Sequence, residues 1–147
     1  MTNLNLDPFH VLLVDDDPDT LRLVSQQITS AFSPQVKLHC ESCIETAMAL
    51  FSSFHIDVVI TDLDLAGSNG FHLLRSAKEI DPLMQVLIFT GHESENAFHS
   101  ALAMGADEFF IKPIAREDLV ASVTHLAKKV ARWRQTSHRL RLIQTPV

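Results

Sequence analysis

The chain has 147 residues, 46% hydrophobic and 20% charged, with a formal net charge of −6. That length supports one domain with a sizeable core, and no apolar stretch approaches the roughly 20 residues of a membrane helix. The start, Met1 to Pro8, lacks the basic-then-apolar pattern of a secretory leader, so a cytoplasmic protein is expected.

The charge is unevenly spread. Residues 128–147 hold Lys128, Lys129, Arg132, Arg134, Arg139 and Arg141 and no acid, so the rest of the chain carries −12. An acidic body argues against direct nucleic-acid binding by the main domain. The basic tail reads first as a solvated helix, with contact to an acidic partner or nucleic acid as the alternative.

Short apolar runs alternate with amphipathic stretches. The first strand candidate, His10–Val14, stops abruptly in Asp15-Asp16-Asp17. Clustered carboxylates repel one another and shed water reluctantly, so they call for a cation. Asp17 can cap a helix with Pro18 at its first position, and Leu21, Val24 and Ile28 follow at helical spacing. A second strand is expected over Val36–Glu41. It is followed by a capping box, Ser42-x-x-Glu45, and a helix burying Ala47, Leu50 and Phe51.

Cys40 and Cys43 form a lone C-x-x-C, read as two reduced structural thiols; metal binding with His39 and His55 nearby is the alternative. The third strand, Asp57–Thr61, leads to Asp62. Gly70 precedes a helix burying Phe71, Leu74 and Ala77 that ends before Asp81-Pro82. A fourth strand covers Gln85–Thr90, a helix runs about Ser94–Met104 and stops at Gly105, a fifth strand covers Glu108–Ile111, and the last helix begins near Arg116.

Five strands alternating with five helices imply an α/β fold, a doubly wound parallel sheet covered on both faces. In the flavodoxin-like order 2-1-3-4-5, the first and third strands meet at the switch point where ligands bind. Asp15, Asp16, Asp62, Thr90 and Lys112 then converge on one edge. Asp15 and Asp16 can hold Mg²⁺, directly or through water. An adjacent carboxylate can be a nucleophile and form an aspartyl phosphate. A metal and an ammonium neutralise phosphoryl oxygens, and a hydroxyl can bind one afterwards.

With Val14-Asp15-Asp16, Asp62 followed by Gly70 eight residues on, Thr90-Gly91, Gly105-Ala106-Asp107 and Lys112-Pro113, the chain resembles a response-regulator receiver domain over about residues 9–127. Residues 128–147 then read as a basic helical extension or the start of a linker. The resemblance implies that Asp62 is the phosphoacceptor, with Asp15, Asp16, Asp62 and the backbone carbonyl of Asp64 as Mg²⁺ ligands. Lys112 would pair with the phosphoryl group, Thr90 would shift toward it, and Phe109 would be the aromatic switch. The implied partners are a sensor histidine kinase or phosphotransfer protein and an output domain or downstream protein, with no membrane. Self-catalysed phosphotransfer and autodephosphorylation would be its only chemistry. A homodimer through the fourth helix, fifth strand and fifth helix, or through the C-terminal helix, is a further expectation.

Ala66 stands where proline is usual in the family, which predicts a less rigid loop. Asp64 and His92 occupy variable positions that in the family influence phosphoryl lifetime. Asp62-Leu63-Asp64 also resembles the D-x-D motif of haloacid-dehalogenase-type phosphatases, but there the metal-binding acid pair follows the nucleophile, whereas here it comes first. Val123, Leu126, Val130, Trp133 and Leu140 follow a mostly heptad pattern, read either as a coiled-coil signalling helix or as a frayed terminal helix.

Overall fold

The computed structural model describes residues 7–91 and 94–144. The sheet strands are β1 (Phe9–Val14), β2 (Val36–Glu41), β3 (Val58–Thr61), β4 (Gln85–Thr90) and β5 (Glu108–Ile111). The helices are α1 (Pro18–Phe32), α2 (Ile44–Ser53), α3 (Gly70–Ile80), α4 (Glu95–Ala103) and α5 (Arg116–Gln144). The five strands pair in parallel in the spatial order β2-β1-β3-β4-β5, as expected. A two-stranded antiparallel hairpin, Asp64–Leu65 with Ser68–Asn69, links β3 to α3.

Strand alternation builds two cores. Val11 and Leu13 of β1 pack with Val24, Ile28 and Phe32 of α1 and with Leu119, Val123 and Leu126 of α5. Leu12 and Val14 face the other way, among Ile44 and Ala47 of α2, Leu73 and Leu74 of α3 and Ala101 of α4. Both faces of the sheet are covered, and the strand ends that carry the acids lie on one edge.

Side-chain caps set the starts of α1, α3 and α4, and two expectations are corrected. Asp17 accepts the Asp19 amide at 3.1 Å ahead of Pro18, as expected. The Ser42 capping box does not form: the N-cap is Cys43, which makes no side-chain capping bond. Starting the helix at Ile44 turns that side chain into the core, which places Glu45 one position too early for the reciprocal bond. Gly70 is the first residue of α3 rather than its predecessor, and Asn69 is the cap, accepting the Phe71 amide at 3.0 Å. Phe71 is only half-buried, and Leu73 takes the core position beside Leu74 and Ala77. α4 ends at Ala103, and Gly105 just beyond its C-cap Met104 has a φ of +98°, the left-handed conformation a side chain resists.

Gly70 has a second constraint. A Cβ at this position would collide with the backbone carbonyl oxygen of Asp62. Gly70→Ala is therefore expected to destabilise the fold by about 2 kcal/mol or more, because backbone rather than a flexible side chain must yield. Urea unfolding measures it, and an unchanged midpoint would refute the close approach.

Candidate phosphoryl-accepting site

Asp15 directly follows β1, Asp62 directly follows β3, Thr90 is the last residue of β4, and Lys112 directly follows β5. The Lys112 ammonium donates to Asp15 Oδ2 and to Asp62 Oδ2, both at 2.7 Å. Asp15 is completely buried and Asp62 nearly so, whereas Asp16 is exposed. Backbone amides hold the second oxygens: Asp17 N donates to Asp15 Oδ1 at 2.9 Å, and Asp64 N to Asp62 Oδ1 at 3.0 Å. The two buried carboxylates therefore do not wander; ladder continuations such as the Asp62 amide to the Val14 carbonyl, 3.2 Å, set their backbones.

Burial pushes the Asp15 carboxyl above its ordinary pKa, against the pull of Lys112 and the Asp17 amide. Burial also disfavours the Lys112 ammonium, but its hydrogen bonds to Asp15 and Asp62 outweigh this and raise its pKa. Lys112 is a fixed cation that also lies 5.0 Å from the centre of the Phe89 ring.

Asp15, Asp16 and Asp62 bring ligand oxygens within 4.8 Å of one another, among the described residues the one group of three or more His, Cys, Asp or Glu so placed. One ammonium against three carboxylates leaves the cluster short of positive charge. An all-oxygen, acid-rich and partly open donor set suits a hard divalent cation such as Mg²⁺, which keeps several waters. The residues present fit the expected metal.

Thr90 is fully buried at the end of β4, and its carbonyl accepts the Lys112 amide at 2.8 Å. Phe109 of β5 is half-buried, with its ring edge-to-face against Phe98 of α4, centroids 5.2 Å apart. His92 lies outside the described residues.

Several contacts went unforeseen in the sequence. The Ala66 amide donates to Asp16 Oδ2 at 3.1 Å. A proline there would have no N–H to give, so the departure from the family pattern exchanges ring rigidity for a hydrogen bond to the acid pair. Asp107 accepts Lys78 Nζ at 2.7 Å and the Val86 amide at 2.8 Å, which makes it an anchor of the fold. His99 pairs with Glu95 at 3.4 Å on its own helix, and Arg116 reaches the Ser30 hydroxyl at 3.4 Å. Two of these carried a sequence signal: the Glu95–His99 pair through its i,i+4 spacing, and Phe98 as an aromatic one turn into a helix beside β5.

The thiols are free, Cys40 exposed and Cys43 half-buried. His39 instead meets His10, ring nitrogens 3.0 Å apart, under Phe54. Burial, with the neighbouring His10, holds the His39 pKa below its ordinary 6.5. A base whose folded pKa is depressed contributes stability above its unfolded pKa and loses it as pH falls. Stability is therefore expected to drop between about pH 7 and pH 5.5, and His39→Gln to flatten that slope. Urea midpoints at the two pH values measure it, and equal slopes would refute it.

The fold and site define a class: a doubly wound α/β domain with an acid cluster and a lysine at the strand ends of its switch point. The chain belongs to the response regulator receiver domain family, whose model matches residues 11–124, and so to phosphorylation-activated signalling switches. It is 31% identical over 133 residues to the transcriptional regulatory protein GlrR of Escherichia coli K12, covering 87% of this chain and 29% of that protein. It is 29% identical over 126 residues to the two-component response regulator PprB of Pseudomonas aeruginosa, covering 83% of this chain and 45% of that one. The chain thus spans less than half the length of either relative.

Among solved structures it is similar to the signal receiver domain of an HD domain-containing protein from Pseudomonas fluorescens, with TM-score 0.80, 21% identity and coverage of 87% and 93%. It is also similar to the chemotaxis response regulator CheY4 of Vibrio cholerae, with TM-score 0.71, 21% identity and coverage of 81% and 98%. No helix among the described residues is long and apolar enough to cross a membrane.

Proposed function

We propose that Asp62 accepts a phosphoryl group from a sensor histidine kinase or phosphotransfer protein, in a Mg²⁺-dependent reaction that switches the α4-β5-α5 face. The observation that carries this reading is Lys112, held at 2.7 Å from both Asp15 and Asp62. A carboxylate oxygen of Asp62 attacks phosphorus, and the bond from phosphorus to the donor's leaving group breaks. Lys112, already beside the reacting carboxylate, neutralises the incoming charge. Asp15, Asp16, Asp62 and the Asp64 carbonyl would hold Mg²⁺, which would supply charge stabilisation to the transferring group.

Phosphorylation adds close to two negative charges at the end of β3. Thr90, one strand over and buried, is the group placed to respond, and Phe109 beyond it is only half-buried. The face they share with α4 and α5 exposes Phe98, Leu102 and Ile111. An output domain, a downstream protein or a second copy reads the population shift there.

Acetyl phosphate with Mg²⁺ is expected to give one stoichiometric, chelator-sensitive label on the peptide containing Asp62. Turnover of a phosphomonoester without a stable label would instead support the phosphatase reading. The exposed Asp64 carboxylate sits beside the attacked position, so Asp64→Asn is expected to change the half-life of the label several-fold. Superimposable decay curves of the two proteins would sink that expectation.

A further inference from the structure

We propose that Arg134 is a clamp that fixes the C-terminal half of α5 to the edge of the sheet opposite the acid site, so that the helix leaves the domain as a rigid arm. This goes beyond the signalling reading and does not depend on it.

α5 begins at the site edge and crosses the sheet, burying Leu119, Val123, Leu126 and Val130. Its 29 residues extend about 43 Å, roughly twice the length of the six-residue strands it covers. Hydrophobic packing therefore ends well before the helix does. Where it ends, Arg134 turns inward. Its Nε donates to Asp57 Oδ1 at 3.1 Å, its Nη1 to Asp81 Oδ2 at 2.7 Å and its Nη2 to the Ile56 carbonyl at 3.3 Å.

The acceptors are in place independently of the arginine. Asp57 Oδ2 takes the His10 amide at 2.8 Å, and Asp81 Oδ1 takes the Leu83 amide at 3.0 Å. The backbone of Asp57 joins its neighbours on both sides, through the His10 carbonyl and the Gln85 amide, each at 2.9 Å. A planar guanidinium meeting acceptors from two segments cannot be replaced by an ammonium, which is a point charge on a flexible stem. Burial opposes ionisation of Asp81, but the Arg134 hydrogen bond and the Leu83 amide outweigh it and keep its pKa low.

The consequence is for residues 135–144. These turns continue a helix that is already nucleated, but with no packing beneath them they fray from the free end. Fixing Arg134 holds the turn they grow from and sets their phase relative to the sheet. They present Leu140, Leu142 and Ile143 to solvent, with Ile143 76% exposed. The heptad seam expected from the sequence is mostly spent inside the molecule: Leu126 and Val130 are buried and Trp133 is half-buried beneath Lys129. The exposed apolar residues of the arm lie off that seam, apart from Leu140.

Hydrogen exchange of the full chain tests the clamp. Arg134→Gln is expected to speed exchange of amides 131–140 at least fivefold while amides of β1 and β4 keep their protection. Asp81→Asn, which removes one acceptor's charge from the far side, is expected to do the same. Arg134→Lys is expected to recover only part of the protection. A rise below fivefold in either of the first two variants overturns the clamp. If Arg134→Gln exposes the core as well, Asp81→Asn decides on the same criterion, and loss of core protection there too overturns the proposal.

Discussion

Replacing Lys112 with methionine is expected to destabilise the domain by about 3 kcal/mol in chelator at neutral pH. The change leaves Asp15, fully buried, and Asp62, nearly so, without their shared cation. Breaking a buried pair costs more than the pair contributed, because the remaining charges stay desolvated. Here two carboxylates are orphaned together and also repel each other. Saturating Mg²⁺ is expected to restore about 2–3 kcal/mol, since an ion bound only by the folded acid cluster stabilises it by mass action. Urea unfolding of both proteins, each with chelator and with Mg²⁺, reads all four values. A variant as stable as wild type in chelator would refute the stabilising role of the Lys112 bridge.

Asp62→Asn is expected to abolish covalent phosphorylation with little effect on folding. An amide nitrogen and a carbonyl oxygen have no nucleophilic oxygen anion to offer phosphorus. The amide oxygen can still accept the Asp64 N–H now bound at 3.0 Å, and Lys112 keeps its 2.7 Å contact with the buried Asp15. Stability is expected to stay within about 1 kcal/mol of wild type. Intact-mass measurement after acetyl phosphate, beside a urea melt, separates lost chemistry from lost structure. A label at the wild-type extent in a folded variant would move the nucleophile to Asp64 or to the acid pair.

Much of this site was legible because it is written at strand ends. An apolar run that stops in a carboxylate, repeated at β1 and β3 and joined by Thr90 and Lys112, specifies an edge once the sheet is parallel. Local chemistry was also legible where it stays local: Asp17 caps α1 because its oxygen needs to reach only two residues ahead. The Ser42 box failed for the opposite reason. Its pattern is local, but the helix start was decided by Ile44 turning into the core, a tertiary demand that outweighs one capping bond. Phe71 lost its core position to Leu73 in the same way.

The long-range polar contacts lay beyond any periodicity. Arg134 meets Asp57 and Asp81 across 77 and 53 residues, and the Ala66 amide meets Asp16 across 50. Nothing in the spacing of either pair announces it. By itself the sequence determined the α/β alternation and which residues stand at the strand ends, because side-chain period and turn chemistry act within a few residues; the strand order came with the flavodoxin-like pattern that the alternation matches. The tertiary structure alone decided that Lys112 bridges two of those acids and that the basic tail is spent partly on the body's own carboxylates. Such contacts depend on where whole elements dock, and docking is set by the summed burial of both faces of the sheet rather than by any short run of residues.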